Sequence, residues 1–456
     1  MGRFTRLTSL MMLGLLVAKP VLADDLLSIL ELAMRNDPQL RQAEAQFNSA
    51  QQQVIQARSS LLPGASANFS ESREASGPAG LVSLTPSDAS RRYGVNLQQS
   101  LLNLSAWYDY QGAKASDQAQ LLNFQAQEQE LILRVASAYF EVLRAIDFLE
   151  TRQQEEEAAE RQYEQTSQRE EVGLVAITEV YEAQAAYDLA RNNTILAENA
   201  RDSAYEALEA ITGQPHPNLE VLSEDFPIEP VEGAMEQWTQ EALNNNLTLL
   251  AAESGVEARQ QVARARRSDH LPTVSLQGGY NRSESDSTVS SDGGVRSGGA
   301  FEGTSIAVNV SIPLYSGHAV SARRQAAEYD VVAQQEQLNL VRRQTRQEIR
   351  NAYRRVNTDA MVVEQRQQAI RSARSALEAI EAGYEVGTRN IVDVVQARQQ
   401  LFRALRDHAE ARYNYVLDTL TLQQITGMLT PQDIIDINAW LDEEAASAAD
   451  GADTTP

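Results

Sequence analysis

The sequence predicts a membrane β-barrel that continues into a barrel of α-helices, with one structural unit present twice in the chain. Three observations predict this fold class. Four short segments alternate apolar and polar residues, which is typical of strands. Long proline-free segments rich in Ala, Gln, Glu and Arg connect them, as expected of helices. The whole pattern returns after 214 residues, so that Gly387 repeats the position of Gly173.

The two ends of the chain are predicted to lie outside this fold. Arg3 and Arg6 precede a short apolar stretch and small residues, which is the pattern of an export signal. We expect residues 1–23 to be removed, so that the mature chain begins at Asp24. Residues 443–456 are acidic and rich in small residues, and we expect them to be disordered. After the signal, no run of about 18 apolar residues predicts a transmembrane helix.

Composition argues against several function classes. The chain has no cysteine, which rules out disulfides and thiolate metal sites. Its net charge of −24 argues against nucleic acid as a partner. No nucleophile–base spacing, phosphate-binding loop or cluster of metal ligands favours an enzyme or a cofactor. The four histidines are scattered without ligand spacing: His216, His270, His318 and His408.

The first unit is predicted to span residues 24–230. After two helices, strands are expected at about 63–71 and 92–102, joined by a polar loop. A helical hairpin follows over residues 103–213, because apolar residues there recur at steps of three and four. Its first helix would be on the order of 100 Å long, more than a compact domain needs. The sequence therefore predicts an extended, coiled-coil-like assembly.

The second unit, residues 231–442, repeats the first. Its strands are expected at about 272–282 and 304–315, with a Ser/Gly/Asp-rich loop over residues 283–303 between them. A second helical hairpin is predicted over residues 316–427. The constant offset between matching segments indicates an internal duplication.

Four strands are too few to close a barrel, and open sheet edges are not tolerated in lipid. Two, three or four copies of the chain must therefore contribute strands. The alternation gives an apolar outer face and a polar lumen of Ser, Asn and Gln, which predicts a water-filled conduit. The alternative is a soluble sandwich of two hairpins. That alternative does not explain why very long helices enter and leave each hairpin.

Each helical hairpin has a tip with a glycine and an acid. Gly173 and Gly387 suit the left-handed residue that ends a helix. Glu179 and Asp393 then fall in the first turn of the following helix, where an acid caps free N–H groups and opposes the helix dipole. The repetition of the tips favours a functional role, and the sequence leaves both interpretations open.

These tips resemble the TolC family of outer-membrane exit ducts, which serve Gram-negative efflux and type I secretion. The resemblance spans nearly the whole mature chain and fails in the external loops and the tail. It implies a homotrimer in the outer membrane, with a 12-strand barrel above a 12-helix periplasmic tunnel and a mixed α/β belt around its middle. The matching segments are residues 138–140, 172–179 (VGLVAITE), Tyr384, 386–394 (VGTRNIVDV) and 411–415 (ARYNY).

The resemblance also implies a function and partners. Such ducts are not enzymes and hold no cofactor. They dock an inner-membrane transporter of RND, ABC or MFS type through a periplasmic adaptor (a membrane fusion protein), and they contact outer-membrane lipid but no nucleic acid. They pass drugs, detergent-like molecules or unfolded proteins outward. A soluble periplasmic coiled-coil protein is the rival interpretation, and it explains the helical hairpins but not the paired alternating strands.

The family resemblance assigns an aperture to the second tip. Asp393 falls where the family places a ring of carboxylates at the periplasmic constriction. A second ring, one turn further, falls at Gln396 in this chain. This departure predicts a weaker cation site, with block by cations at Asp393 and no resident metal.

The resemblance assigns two further roles at the tips. Tyr384 and Arg389 match residues that bond the neighbouring hairpin and hold the entrance shut, with Glu179 and Thr178 as their expected partners. Phenol to carboxylate and guanidinium to hydroxyl are sound hydrogen-bond pairs. Solvated tip charges are the alternative. The residues that match the adaptor-docking grooves, where plain helix capping is the alternative, are Val172, Gly173, Leu174, Val386 and Gly387.

Overall fold

The computed structural model describes residues 24–74, 88–289 and 295–442. The expected export signal over residues 1–23 and the expected disordered tail over residues 443–456 lie outside the described residues. No helix in this described part of the chain is long and apolar enough to cross a membrane.

The secondary structure follows the predicted order. The helices are α1 Leu26–Asn36, α2 Pro38–Ser59, α3 Leu104–Glu171, α4 Ile177–Thr212, α5 Met235–Asn245, α6 Leu247–Ser268, α7 Ala319–Glu385, α8 Ile391–Ile425 and α9 Pro431–Asn438. The strands are β1 Gly64–Glu74, β2 Asp88–Leu102, β3 Val221–Leu222, β4 Thr273–Val289, β5 Val295–Ser311 and β6 Leu441–Asp442.

The two longest helices set the dimensions of the molecule. Helix α3 has 68 residues and α7 has 67, so each is about 100 Å long at about 1.5 Å per residue. Asn103 starts α3, because its side chain accepts a hydrogen bond from the Ala106 amide at 3.0 Å. Near the sheet, α3 packs between α2 and α6, and α6 packs on α7. Towards the tips, α3 packs on α4 and α8, and α8 packs on α7.

Strands β1, β2, β4 and β5 form one antiparallel sheet in that order. The register aligns apolar residues across the strands, as in the pairs Phe69 with Tyr93 and Leu276 with Val308. The large apolar side chains of this face are exposed, Phe69 at 60% and Val308 at 60%. The opposite face carries Ser, Asn and Gln, for example Asn96. The sheet therefore has one apolar and one polar face, as the alternation predicted.

The prediction of a loop over residues 283–303 is wrong for most of that segment, which forms strands instead. Strand β4 continues to Val289 and β5 begins at Val295, and their pairing is continuous between Arg282–Glu302 and Ser285–Gly299. The segment is rich in Ser and Gly, which have low strand propensity, but antiparallel pairing with the neighbouring strand overrides local preference. At its other end, β5 stops at Ser311, before the proline at position 313.

A hydrophobic core lies where the two units meet near the middle of the long helices. It contains Tyr139 and Phe140 of α3 and Tyr413 of α8, all almost completely buried. Helices α1 and α9 and the short β3–β6 pair pack around it. Both units have the same hydrogen bond here. The side-chain amide of Asn36 donates at 2.9 Å to the carbonyl at the end of α4, and that of Asn246 donates at 2.9 Å to the carbonyl at the end of α8.

Candidate functional site at the hairpin tips

Both tips share one backbone geometry. Helix α3 ends just before Gly173, which has φ 74°, and α7 ends just before Gly387, which has φ 78°. A Cβ built at either glycine would meet no atom within 4 Å. Backbone conformation, not crowding, therefore requires glycine, because positive φ strains other residues. The expected left-handed ends of both helices are present.

The side chains beside these glycines are aliphatic and exposed. Val172, Leu174 and Val386 are 69%, 70% and 74% exposed. Large apolar side chains this open to solvent, grouped at the end of a helical hairpin, leave a surface that a partner can cover. The docking role predicted for these residues stays a prediction, and their exposure is consistent with it.

The second tip is closed by a network of polar contacts. The Asn390 side chain accepts from the Asp393 amide at 2.9 Å, and the Asp393 carboxylate accepts from the Asn390 amide at 3.4 Å. Thr388 Oγ1 donates to the Gly383 carbonyl at 2.9 Å. Arg389 Nη1 lies 3.8 Å from Asp393 Oδ2. Asp393 is therefore a helix cap, which was one of the two sequence interpretations.

Capping leaves Asp393 available for a second role, because its side chain remains about a third exposed, at 32%. Gln396, one helical turn further, is exposed. Across the described residues, no group of three or more His, Cys, Asp or Glu could hold a metal ion. One chain therefore supplies one carboxylate to the expected aperture, and a ring requires further copies.

The first tip lacks such a network. Ala176 occupies the N-cap position of α4 and offers no side-chain hydrogen bond. The turn is closed by backbone contacts, with the Leu174 amide donating to the Arg169 carbonyl at 2.8 Å. Thr178 is exposed and Glu179 is half-buried in the first turn of α4. Within the described residues, neither side chain has a hydrogen-bond partner.

The expected restraining pairs are not formed within a single chain. The hydroxyl of Tyr384 is buried and, within the described residues, has no hydrogen-bond partner. The Arg169 guanidinium of α3 lies 5.3 Å from the centre of the Tyr384 ring, which joins the two hairpins by a cation–π contact. Arg389 faces Asp393 instead of Thr178. The pairs of Tyr384 with Glu179 and Arg389 with Thr178 stay predictions.

Two further contacts between the hairpins were not predicted from the sequence. Arg398 Nη2 donates to Glu381 at 2.6 Å, and its Nη1 donates to the Ala158 carbonyl at 3.1 Å, so this side chain joins α8 to both α7 and α3. Tyr413 Oη donates to Asp147 at 2.6 Å. Burial raises the pKa of Asp147 above its usual range. The ARYNY segment could have indicated Tyr413, since a tyrosine among apolar helix residues needs a partner for its hydroxyl.

Comparisons with known proteins agree with this geometry. The family model described as Outer membrane efflux protein matches residues 29–214 and 238–428. Outer membrane protein TolC of Vibrio cholerae is 38% identical over 430 residues, covering 93% of this chain and 95% of that protein. Proteases secretion protein PrtF of Dickeya chrysanthemi is 28% identical over 426 residues, covering 91% and 90%. The CmeC outer membrane channel of Campylobacter jejuni has the same fold, with a TM-score of 0.74 at 18% identity over 92% of this chain and 90% of that one.

The two-faced sheet and the long hairpins with glycine tips thus define an outer-membrane channel of the class used in efflux and type I secretion. Within that class, the chain belongs to the Outer membrane efflux protein family. The resemblance to the TolC family and the outer-membrane location predicted from the sequence are confirmed.

Proposed function

We propose that three copies of the chain form one continuous duct that carries drugs, other toxic small molecules or proteins from an inner-membrane pump to the outside. One observation carries this proposal. The sheet has four strands in the order β1-β2-β4-β5, and within the described residues its outer strands β1 and β5 pair on one side only. Unpaired edges are not tolerated in lipid. Three copies of the four-stranded sheet close into a barrel of 12 strands.

The two faces of the sheet fit this barrel. Exposed apolar side chains, among them Val95 at 52% and Ile306 at 84%, would face the hydrocarbon of the outer membrane. The polar face, with Asn96 and Gln277, would line a water-filled lumen. A lumen of this kind passes polar cargo without chemistry, so we propose a transport function and no catalysis.

The helices extend the duct into the periplasm. Because α4, α3, α8 and α7 follow one another across the tip half of the chain, three copies give a tunnel of 12 helices. The tips then converge around one axis, where three copies of Asp393 would form the aperture. Tyr384 and Arg389 would reach Glu179 and Thr178 across neighbouring hairpins and restrain it.

The tips are also the proposed contact with partners. Val172, Leu174 and Val386 are exposed beside glycines that leave open space. We propose that a periplasmic adaptor inserts its own hairpin between these tips and connects the duct to an RND, ABC or MFS-type transporter. Apolar burial at such tips would supply the affinity.

Chemical crosslinking of the purified, detergent-solubilised protein tests the assembly. A trimer band with intact β-sheet circular dichroism is the expected result. Efflux assays in a strain that lacks its own duct test transport in parallel. Only monomer in detergent, together with an intact β-sheet signal, would show that the barrel does not depend on other copies.

A further inference from the structure

Among the long helices, α7 lies at one edge of the chain along its whole length, and the short helix α5 packs on α7 near its middle. Near the sheet the order is α2, α3, α6, α7, and near the tips it is α4, α3, α8, α7. The outer elements are therefore α7 on one side and α2 followed by α4 on the other. In a closed ring of identical copies, α7 of one copy must lie against α2 and α4 of the next.

One face of α7 carries a stripe of arginines, of which Arg350 donates to Glu236 of α5 in the same chain at 3.3 Å. Arg343, Arg346, Arg350 and Arg354 follow at steps of three and four, which places them on one helix face. They line an open groove of about 420 Å³. Within the described residues, neither Arg343 nor Arg346 has an ion-pair or hydrogen-bond partner. Such a concentration of positive charge is unusual in a chain with a net charge of −24.

The opposite side of the chain carries acids on the last turns of α4. Asp202, Glu206 and Glu209 follow at steps of four and three and are exposed. Within the described residues, Glu206 and Glu209 have no ion-pair or hydrogen-bond partner, and Asp202 contacts only its neighbour Arg201. The C-terminus of α4, which carries the negative end of the helix dipole, follows at Thr212.

The end of the arginine stripe nearest the tips and the end of the acidic stripe furthest from them lie at the same height. Arg354 precedes the end of α7 by about 31 residues, and Glu209 follows the start of α4 by about 32, so both lie about 47 Å from the tips. Apolar residues on the same edges agree with this alignment. Met361 of α7 and Ile195 of α4 are exposed at 66% and 58% and lie nearer the tips.

We propose that Arg354, at the end of the arginine stripe nearest the tips, pairs with Glu206 and Glu209 of α4 on the next copy and forms a charged seam there. This charged seam lies level with Tyr139, which precedes the end of α3 by about 32 residues and is therefore about 48 Å from the tips. The inference rests on the proposed trimer and adds which surfaces meet.

Disulfide trapping tests the seam directly, because the natural chain has no cysteine. The variant Glu209→Cys with Arg354→Cys should form covalent trimers under mild oxidation, seen on non-reducing gels. A bond within one copy is excluded, since α4 and α7 lie at opposite edges of the chain. The variant Glu206→Cys with Arg354→Cys, one turn away on α4, should form covalent trimers in the same way.

Arg355 provides a matched control. It neighbours Arg354 on α7, but its Nε lies 3.0 Å from Asp418 of α8, so it points towards α8 of its own chain. Glu209→Cys with Arg355→Cys should therefore leave the trimer non-covalent. Equal trapping by this control pair would overturn the assigned face of α7.

Charge exchange gives an independent readout. Glu209→Arg alone should lower the temperature at which the trimer dissociates in detergent, and adding Arg354→Glu should restore it. A trimer that forms normally but shows neither trapping nor this rescue would overturn the seam and leave the proposed trimer standing. A chain that stays monomeric without any substitution would instead overturn the trimer itself.

Discussion

At the first tip, Ala176 occupies the N-cap of α4 and its methyl group cannot accept a hydrogen bond, whereas at the second tip Asn390 caps α8 and bonds to Asp393. The two turns have the same glycine conformation. The difference continues along the hairpins. The alanines at positions 145 and 204 of the first hairpin, both buried, correspond to Asp359 and Asp418 of the second, 214 residues later.

This comparison shows how one duplicated backbone can serve two roles. The first hairpin packs alanines where the second has Asp359 and Asp418, and it closes its tip with backbone contacts. The second hairpin carries polar and charged groups both at its tip and in its packing. We infer that the second hairpin holds the chemistry that restrains the entrance, and that both tips take part in docking.

The largest expected effect is loss of efflux when the glycine of one tip is substituted, and it should differ between the two tips. Gly387→Val should abolish efflux without changing trimer yield, because it strains the positive φ by about 1–2 kcal/mol and covers the docking surface. Gly173→Val carries the same strain and should reduce efflux less, since the first tip lacks the side-chain network that closes the second. Drug resistance of cells that carry each variant measures both.

Gly213 is the matched control for these two substitutions. Its φ is 75°, a Cβ there would meet no atom within 4 Å, and it ends α4 far from the tips. Gly213→Val should therefore keep efflux at comparable trimer yield. Full resistance with Gly387→Val would refute the docking role.

The next largest effect is expected on ion selectivity, when the acids of the aperture are changed. Asp393→Asn retains an oxygen for the helix cap but removes the charge, so cation preference and block by divalent or trivalent cations should fall several-fold. Glu179→Gln, on the other tip, should change neither. Gln396→Asp should strengthen both, because it adds a second acid one turn away. Reversal potentials of single channels in planar bilayers measure the cation preference. Unchanged selectivity in Asp393→Asn would show that this residue serves only as a helix cap.

A smaller effect is expected from the restraining pairs. Tyr384→Phe with Arg389→Ser should raise single-channel conductance, because each lost bond across hairpins contributes only about 1–3 kcal/mol and the double change loosens the closed tip. Each single change should have a much weaker effect. Tyr384→Phe keeps the ring that contacts Arg169, so packing is preserved. Parental conductance in the double variant would argue against any restraint by these residues.

The smallest effect concerns pH and the acids of the second hairpin. Burial, with the hydrogen bond and charge of Asp418, raises the pKa of Asp359 to about 6. Because this pKa lies above its ordinary value of 3.8, the pair favours the folded hairpin when protonated. This stabilisation is fully present below about pH 4 and is lost as the pH rises through about 6.

Thermal unfolding between pH 5 and pH 8 tests this dependence. Asp359→Asn should flatten it and stabilise the protein at pH 8 by about 1 kcal/mol, since solvent screens the half-buried pair. The first hairpin has alanines at the positions that correspond to Asp359 and Asp418, so an alanine at position 359 is a natural comparison. Asp359→Ala should also flatten the profile, and a profile that either substitution leaves unchanged would contradict the assignment.

Much of the candidate site could be predicted from local sequence. The glycines at 173 and 387 and the acids that follow them fall where the structure has turns and first helical turns. Local rules suffice there, because a left-handed residue and a helix cap depend on a few neighbours in the chain. The contacts of Arg398 and Tyr413 could not be predicted in this way, since their partners lie on other helices.

The sequence by itself determined the repeat, the two faces of the sheet and the great length of the hairpins, because period and helix capping are properties of neighbouring residues. Only the tertiary structure decided how far β4 and β5 extend, since Ser and Gly pair there through a partner strand and not through their own propensity. It alone also placed α7 at one edge and α4 at the other. Long-range packing sets that order, and with it which charges meet when copies of the chain close into a ring.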